Sequence, residues 1–195
     1  MRSRSSITRS ALAFATIATV TAVPATAQQA STPASGLRAE LIHDIGTLEE
    51  KYLGLAEAMT GKYDWRPGEG VRSVGEVFMH VAGANMYIPS MAGVEPAEAF
   101  RGLEGQEAFA KLGELEQQTD EATIKETLRE AFAYAKDAVG SVPDDQLDGA
   151  TSVFGMQTTN RVALLLLVTH MHEHLGQAIA YARINGVVPP WSAGS

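Results

Sequence analysis

Residues 169 to 177 read Thr169-His170-Met171-His172-Glu173-His174-Leu175-Gly176-Gln177, placing three of the chain's five histidines at alternate positions. On a strand, whose side chains change face at every residue, all three imidazoles would share one face. A helix advances about 100° per residue, so His170 and His174 would lie about 40° apart and His172 would point to the far side. The type of element therefore decides which histidines can act together, and the flanks decide for helix. Between positions 158 and 185 the only Gly or Pro is Gly176, and the leucines at 164–167 with Ala178, Ala180 and Ala182 are good helix formers. Thr158 or Thr159 can cap the start, and Asn185-Gly186 followed by Pro189-Pro190 ends the helix. His170 and His174 become an i, i+4 pair, and His172 belongs to the surface or to an interface.

Three more helices follow from the same periodicity. Leu37, Leu41, Ile45, Leu48, Tyr52, Leu55 and Met59 recur at spacings of three and four, which predicts a helix over 37–60 closed by Gly61. Ser73-Val74-Gly75-Glu76 fits a capping box that opens a second helix, to about residue 90. Ile124, Leu128, Phe132, Ala135 and Val139 mark a third over 121–139. The connections at 61–72, 91–119 and 140–157 are rich in Gly and Pro, the second with room for one short helix, and Tyr63, Trp65 and Pro67 are packing points in the first. No strand pattern competes. The expected fold is all-α, a four-helix bundle over 37–195.

A bundle can present metal ligands from facing helices into its interior. An i, i+4 His pair can converge on one ion, and a third ligand must come from another helix. His80, set among Val77, Met79, Val81 and Ala82 on the second helix, is the candidate. A lone histidine among apolar residues is ordinarily a hydrogen-bonded core residue, and the His pair elsewhere changes that balance. Glu76, one turn before His80, either orients its second nitrogen or serves only the capping box. Glu173 is either a base at the rim of the site or a solvated glutamate. His43 falls among polar positions, which places it outside. A glycine inside a helix costs about 1 kcal/mol relative to Ala, so Gly176 suggests close approach of a backbone or a ligand. The apolar run 164–168 suggests burial on more than one side, which a helix-packed homodimer would provide.

The N-terminus has a separate logic. Arg2, Arg4 and Arg9 precede an uncharged apolar run from 11 to 23, then Ala25-Thr26-Ala27 before Gln28. This is the pattern of a secretory signal peptide over 1–27, followed by a small, polar linker over 28–36. Removing the three arginines takes the formal net charge from −8 to −11. An acidic product without basic patches excludes nucleic acid as a partner. No later segment is apolar for the roughly 20 residues a membrane anchor needs, so an exported, periplasmic protein without a stable membrane anchor after cleavage is expected. The absence of Cys rules out disulfides and a thiol nucleophile, and neither H-E-x-x-H nor G-x-S-x-G occurs.

The second-helix segment R-S-V-G-E-V-F-M-H-V-A, preceded by Asp64-Trp65-Arg66-Pro67, and the fourth-helix segment H-M-H-E-H-L-G-Q-A-I-A-Y resemble the DinB-like (DinB/YfiT) four-helix bundles. The resemblance covers about 37–190 and implies one His on the second helix and H-x-x-x-H followed by Gly-Gln on the fourth. Those positions here are His80, His170 and His174, with Gly176 and Gln177. It implies a divalent metal, zinc or nickel, with coordination positions left open, and a metal-dependent hydrolase or thiol S-transferase acting on a small-molecule substrate. It also allows a non-enzymatic metal-binding or stress-related module and a homodimer.

Overall fold

A computed structural model describes residues 36–192. The signal-peptide expectation and all of the linker except Gly36 lie outside them. Five α-helices are present, α1 (Leu37–Ala58), α2 (Val74–Tyr87), α3 (Gly105–Leu115), α4 (Glu121–Ser141) and α5 (Asn160–Ile184), with one hairpin, β1 (Ala150–Val153) and β2 (Met156–Thr159). The four long helices form the expected bundle. α1 and α2 each pack against both α4 and α5, so α1 stands diagonally across from α2.

The periodic residues make the core. Leu41, Ile45, Leu48, Tyr52, Leu55 and Met59 of the first stripe are buried, as are Ile124, Leu128, Phe132, Ala135 and Val139 of α4. Each such large side chain contributes about 1.5–3 kcal/mol by leaving water. Tyr52 is a central strut: its ring lies 5.4 Å from that of Phe132 and 6.4 Å from that of Phe78. Its hydroxyl donates to the Met171 carbonyl at 2.7 Å, which ties α1 to the histidine-bearing stretch of α5.

The helix ends follow the chemistry read from the sequence. Ser73 Oγ accepts from the Glu76 N–H and the Glu76 carboxylate accepts from the Ser73 N–H, completing the capping box. Gly61 and Gly186 take left-handed backbone angles, φ 81° and 72°. At Gly186 the Val187 N–H reaches back to the Ala182 carbonyl and the Gly186 N–H to that of Arg183, a Schellman closure of α5. Of the packing points in the first connection, Tyr63 is buried, Trp65 packs edge-on against Tyr181 at 5.3 Å, and Pro67 is exposed.

Three expectations are corrected. The 140–157 crossing does contain strands: residues 150–159 form a two-stranded antiparallel hairpin with Val153 paired to Met156, too short for alternation to register in the sequence. Consequently Thr158 and Thr159 belong to β2, and α5 begins at Asn160 with no side-chain cap. Its first N–H groups are satisfied instead by the Gly149 and Leu147 carbonyls. No other backbone among the described residues approaches Gly176, which is exposed and where an added Cβ would meet nothing within 4 Å. Along the apolar run Leu164, Leu167 and Val168 are buried within the chain, whereas Leu165 is 38% exposed on it.

Candidate metal centre

Three imidazoles meet between α2 and α5. One ring nitrogen from each of His80, His170 and His174 lies within 4.8 Å of the other two. The ring centroids are separated by 5.0 Å (80 to 170), 4.6 Å (80 to 174) and 4.5 Å (170 to 174). The i, i+4 spacing supplies the pair from α5, and α2 presents His80 across from it, as the sequence predicts. His172 points away, exposed, and contacts Asp44 Oδ2 at 2.9 Å. His43 and Glu173 are exposed. Glu76 serves the capping box and Arg66, whose guanidinium lies 2.9 Å away, and does not reach His80.

The carboxylate that does reach His80 comes from the end of α3. Glu116 Oε1 is 2.8 Å from His80 Nδ1, and the same carboxylate is clamped by Arg72, Nε to Oε2 at 2.8 Å and Nη2 to Oε1 at 3.1 Å. Burial alone would push this carboxyl up. Hydrogen bonds from His80 and Arg72, with their charge, outweigh it and hold the group down at about 2. Glu116 is therefore an acceptor only, and His80 Nδ1 must carry the proton.

On the other side a directional chain settles His174. The Tyr181 hydroxyl donates to the Arg72 carbonyl at 3.2 Å, so it accepts from Gln177 Nε2 at 2.9 Å. That turns Gln177 Oε1 toward His174 Nδ1, 2.8 Å away, which must be the donor. In both residues the proton sits on Nδ1 and the Nε2 lone pair is left free, the arrangement by which outer hydrogen bonds orient metal-binding histidines. The two arms join at Arg72, which holds Glu116 by its side chain and Tyr181 by its backbone.

His170 completes the set without such support. Its Nε2 is 3.1 Å from His80 Nε2, and its buried Nδ1 has no hydrogen-bond partner among the protein groups. Burial, reinforced by His174, His80 and Arg72, drives its pKa down to about 3. His174 is lowered too, chiefly by burial. Both are thus uncharged at neutral pH, the form in which imidazole binds metal. Two nitrogens about 2.1 Å from one ion lie about 3–3.5 Å apart, so the His80–His170 spacing fits a shared cation. The donor set can hold a metal ion.

The sequence pointed to the three histidines and to Gln177 but not to Glu116, Arg72 or Tyr181. Glu116 is separated from His80 by 36 positions, and only the packing of α3 brings it there. The α3 side chains lie close over Gly83 of α2, where a methyl group would come within 2.7 Å of Leu112 Cδ2.

The chain belongs to the DinB family, whose family model matches residues 45–194. It is similar in fold to the crystal structures of two DinB-like proteins, from Bacillus cereus and Bacillus subtilis. Each is 20% identical, with TM-scores of 0.59 and 0.57, covering 77% and 76% of this chain and 93% of each of those chains. No curated protein matches the sequence.

Proposed function

We propose that His80, His170 and His174 bind a divalent ion, zinc or nickel, with coordination positions left open, and that the chain is an exported metal-dependent enzyme acting on a small molecule. The observation that carries this reading is the paired tautomer control, Glu116 on His80 and Gln177 on His174, which aims two bare nitrogens into one space. A core histidine also has its Nδ1 hydrogen-bonded, but it has no need to turn its Nε2 toward the ring nitrogens of two other histidines, as these do. Three protein ligands with a position to spare is the ligand count of catalytic rather than structural sites. Such an ion, when bound, supplies Lewis acidity toward an oxygen of substrate or water.

The protein's own contribution is orientation and dryness. Glu116 and Gln177 fix the rings, Arg72 keeps Glu116 ionised and in place, and an apolar cavity adjoins His80 and His170. Hydrolysis fits the signal-like N-terminus better than thiol transfer, because low-molecular-weight thiols are mainly a cytoplasmic resource.

The test is elemental mass spectrometry on residues 28–195 purified without chelator or His-tag. About one equivalent of metal is expected in the wild type and in His172→Ala, and little in His80→Ala, His170→Ala or His174→Ala. Absence of metal from the wild type after reconstitution would refute the site. A hydrolase and thiol-transfer panel on loaded and chelator-treated protein then identifies the reaction class. Turnover in neither would leave a metal-stabilised module. Export is tested by the mass of the secreted chain, expected to begin at Gln28.

A further inference from the structure

The hairpin between α4 and α5 breaks a rule of its own geometry. Its two-residue loop, Phe154-Gly155, has both residues at positive φ, 48° and 82°. Such turns favour Asn-Gly or Asp-Gly, because a large side chain in the left-handed region is strained. Phe154 is the only non-glycine residue with positive φ among the described residues, and it is also 56% exposed. Neither local propensity nor core burial accounts for a phenylalanine there.

What the strained turn achieves is placement. Thr151 Oγ1 donates to the Met91 carbonyl at 2.5 Å, which fastens the hairpin beside the trailing turn of α2. The Phe154 ring then lies 6.2 Å from that of Phe109 on α3, itself 54% exposed, and Phe109 lies 6.3 Å from Tyr87. These three rings, with Ile88, Leu112 and Leu166, line a cavity of about 110 Å³ that also touches His80 and His170. Its walls are almost entirely apolar. An apolar cavity of about 150 Å³ takes up benzene, so this smaller space, open on one side, suits one ring and little more. Rings presenting faces and edges to the space add geometric preference for an aromatic guest.

We propose that this cavity seats a single aromatic ring of the substrate, whose polar end then lies at the histidine cluster, with Phe154 and Phe109 as specificity-determining walls. The proposal rests on the histidine cluster being the reaction centre. Substrates are then aryl compounds carrying the reacting group one or two bonds from the ring.

Two binding measurements separate this seat from the metal reading. On zinc- or nickel-loaded protein, calorimetry compares benzohydroxamate with acetohydroxamate, which share a metal-binding group and differ by the ring. Burial of one ring predicts binding of the former about tenfold tighter or more. Phe154→Asn, which suits the left-handed turn, and Phe109→Ser should each cut that preference at least threefold while metal content and acetohydroxamate affinity stay unchanged. On metal-free protein, benzyl alcohol titrated under NMR should shift the methyl resonances of Ile88, Leu112 and Leu166, and less so in the two variants. Equal affinity for the two hydroxamates on loaded protein, or no shift of those methyls with benzyl alcohol, overturns the aromatic seat. If the protein takes up no metal, the benzyl alcohol titration alone decides the seat, and only the proposed reaction centre falls.

Discussion

Glu116 carries more of the site than its place at the end of the short helix α3 suggests. Its carboxylate holds the His80 proton on Nδ1 and is itself held by Arg72. Replacing it with Gln keeps the shape but removes the charge, so Glu116→Gln should weaken metal affinity about 10–100-fold, as losses of outer-shell carboxylates do. Competition against a chelating dye would measure this, and an unchanged affinity would reduce Glu116 to a packing residue. His170 offers a pH signature in the metal-free protein. The folded chain refuses a proton there until about pH 3, whereas an unfolded histidine accepts one near about pH 6.5. Between those values the unfolded state binds more protons, so stability should fall as pH is lowered from about 6.5. Urea midpoints at pH 7.5 and 5.0, a range above most carboxylate titration, should show the decline, and His170→Leu should show less of it. An identical drop in the variant would place the burden elsewhere.

Among the elements, α5 has a glycine without a packing role. Gly176 is exposed, helical and unobstructed. Gly176→Ala should therefore raise stability by about 0.5–1 kcal/mol through the lost backbone freedom of the unfolded chain. Thermal unfolding of the two proteins measures it, and a destabilised variant would mean that another surface covers this face of α5. Gly83 on α2 is the opposite case, because side chains of α3 lie against it. An added methyl at Gly83 would press on the end of the Leu112 side chain, which belongs to the helix whose end supplies Glu116 and whose side supplies Phe109 and which can yield by turning its tip away. Gly83→Ala should consequently leave the bundle folded and change metal affinity less than Glu116→Gln does, as dye competition beside far-ultraviolet circular dichroism would reveal.

At the scale of the molecule, the three histidines join α2 to α5, two neighbours in a bundle whose core is complete without an ion. Metal removal should therefore loosen the protein and not unfold it. Free metal at 100 times Kd adds about 2.7 kcal/mol, which for a domain of this size raises Tm by about 5–10 °C. Scanning calorimetry with and without chelator checks this, and a chelated protein lacking a cooperative transition would make the ion structural. No α-helix among the described residues is long and apolar enough to cross a membrane.

Legible in the sequence alone were the four long helices, the capping box of α2, the glycine closure of α5 and the three histidines. Each of these depends on short-range order: heptad-like spacing, Ser73 three residues before Glu76, Gly186 after Asn185, and two imidazoles one turn apart. His80 was legible because a polar ring set among apolar helix positions needs a partner, and the His pair on α5 supplies the chemistry for one. The tertiary structure alone decided which carboxylate serves His80, giving Glu116 where the adjacent Glu76 was the local candidate, since Glu76 is consumed by its own helix start. It decided that Arg72 links the two supporting arms, that Gly176 is free while Gly83 is not, and that a strained hairpin brings Phe154 to the histidines. These are contacts between segments far apart in the chain, fixed by how α3 and the hairpin pack on the bundle, and local periodicity holds no record of them.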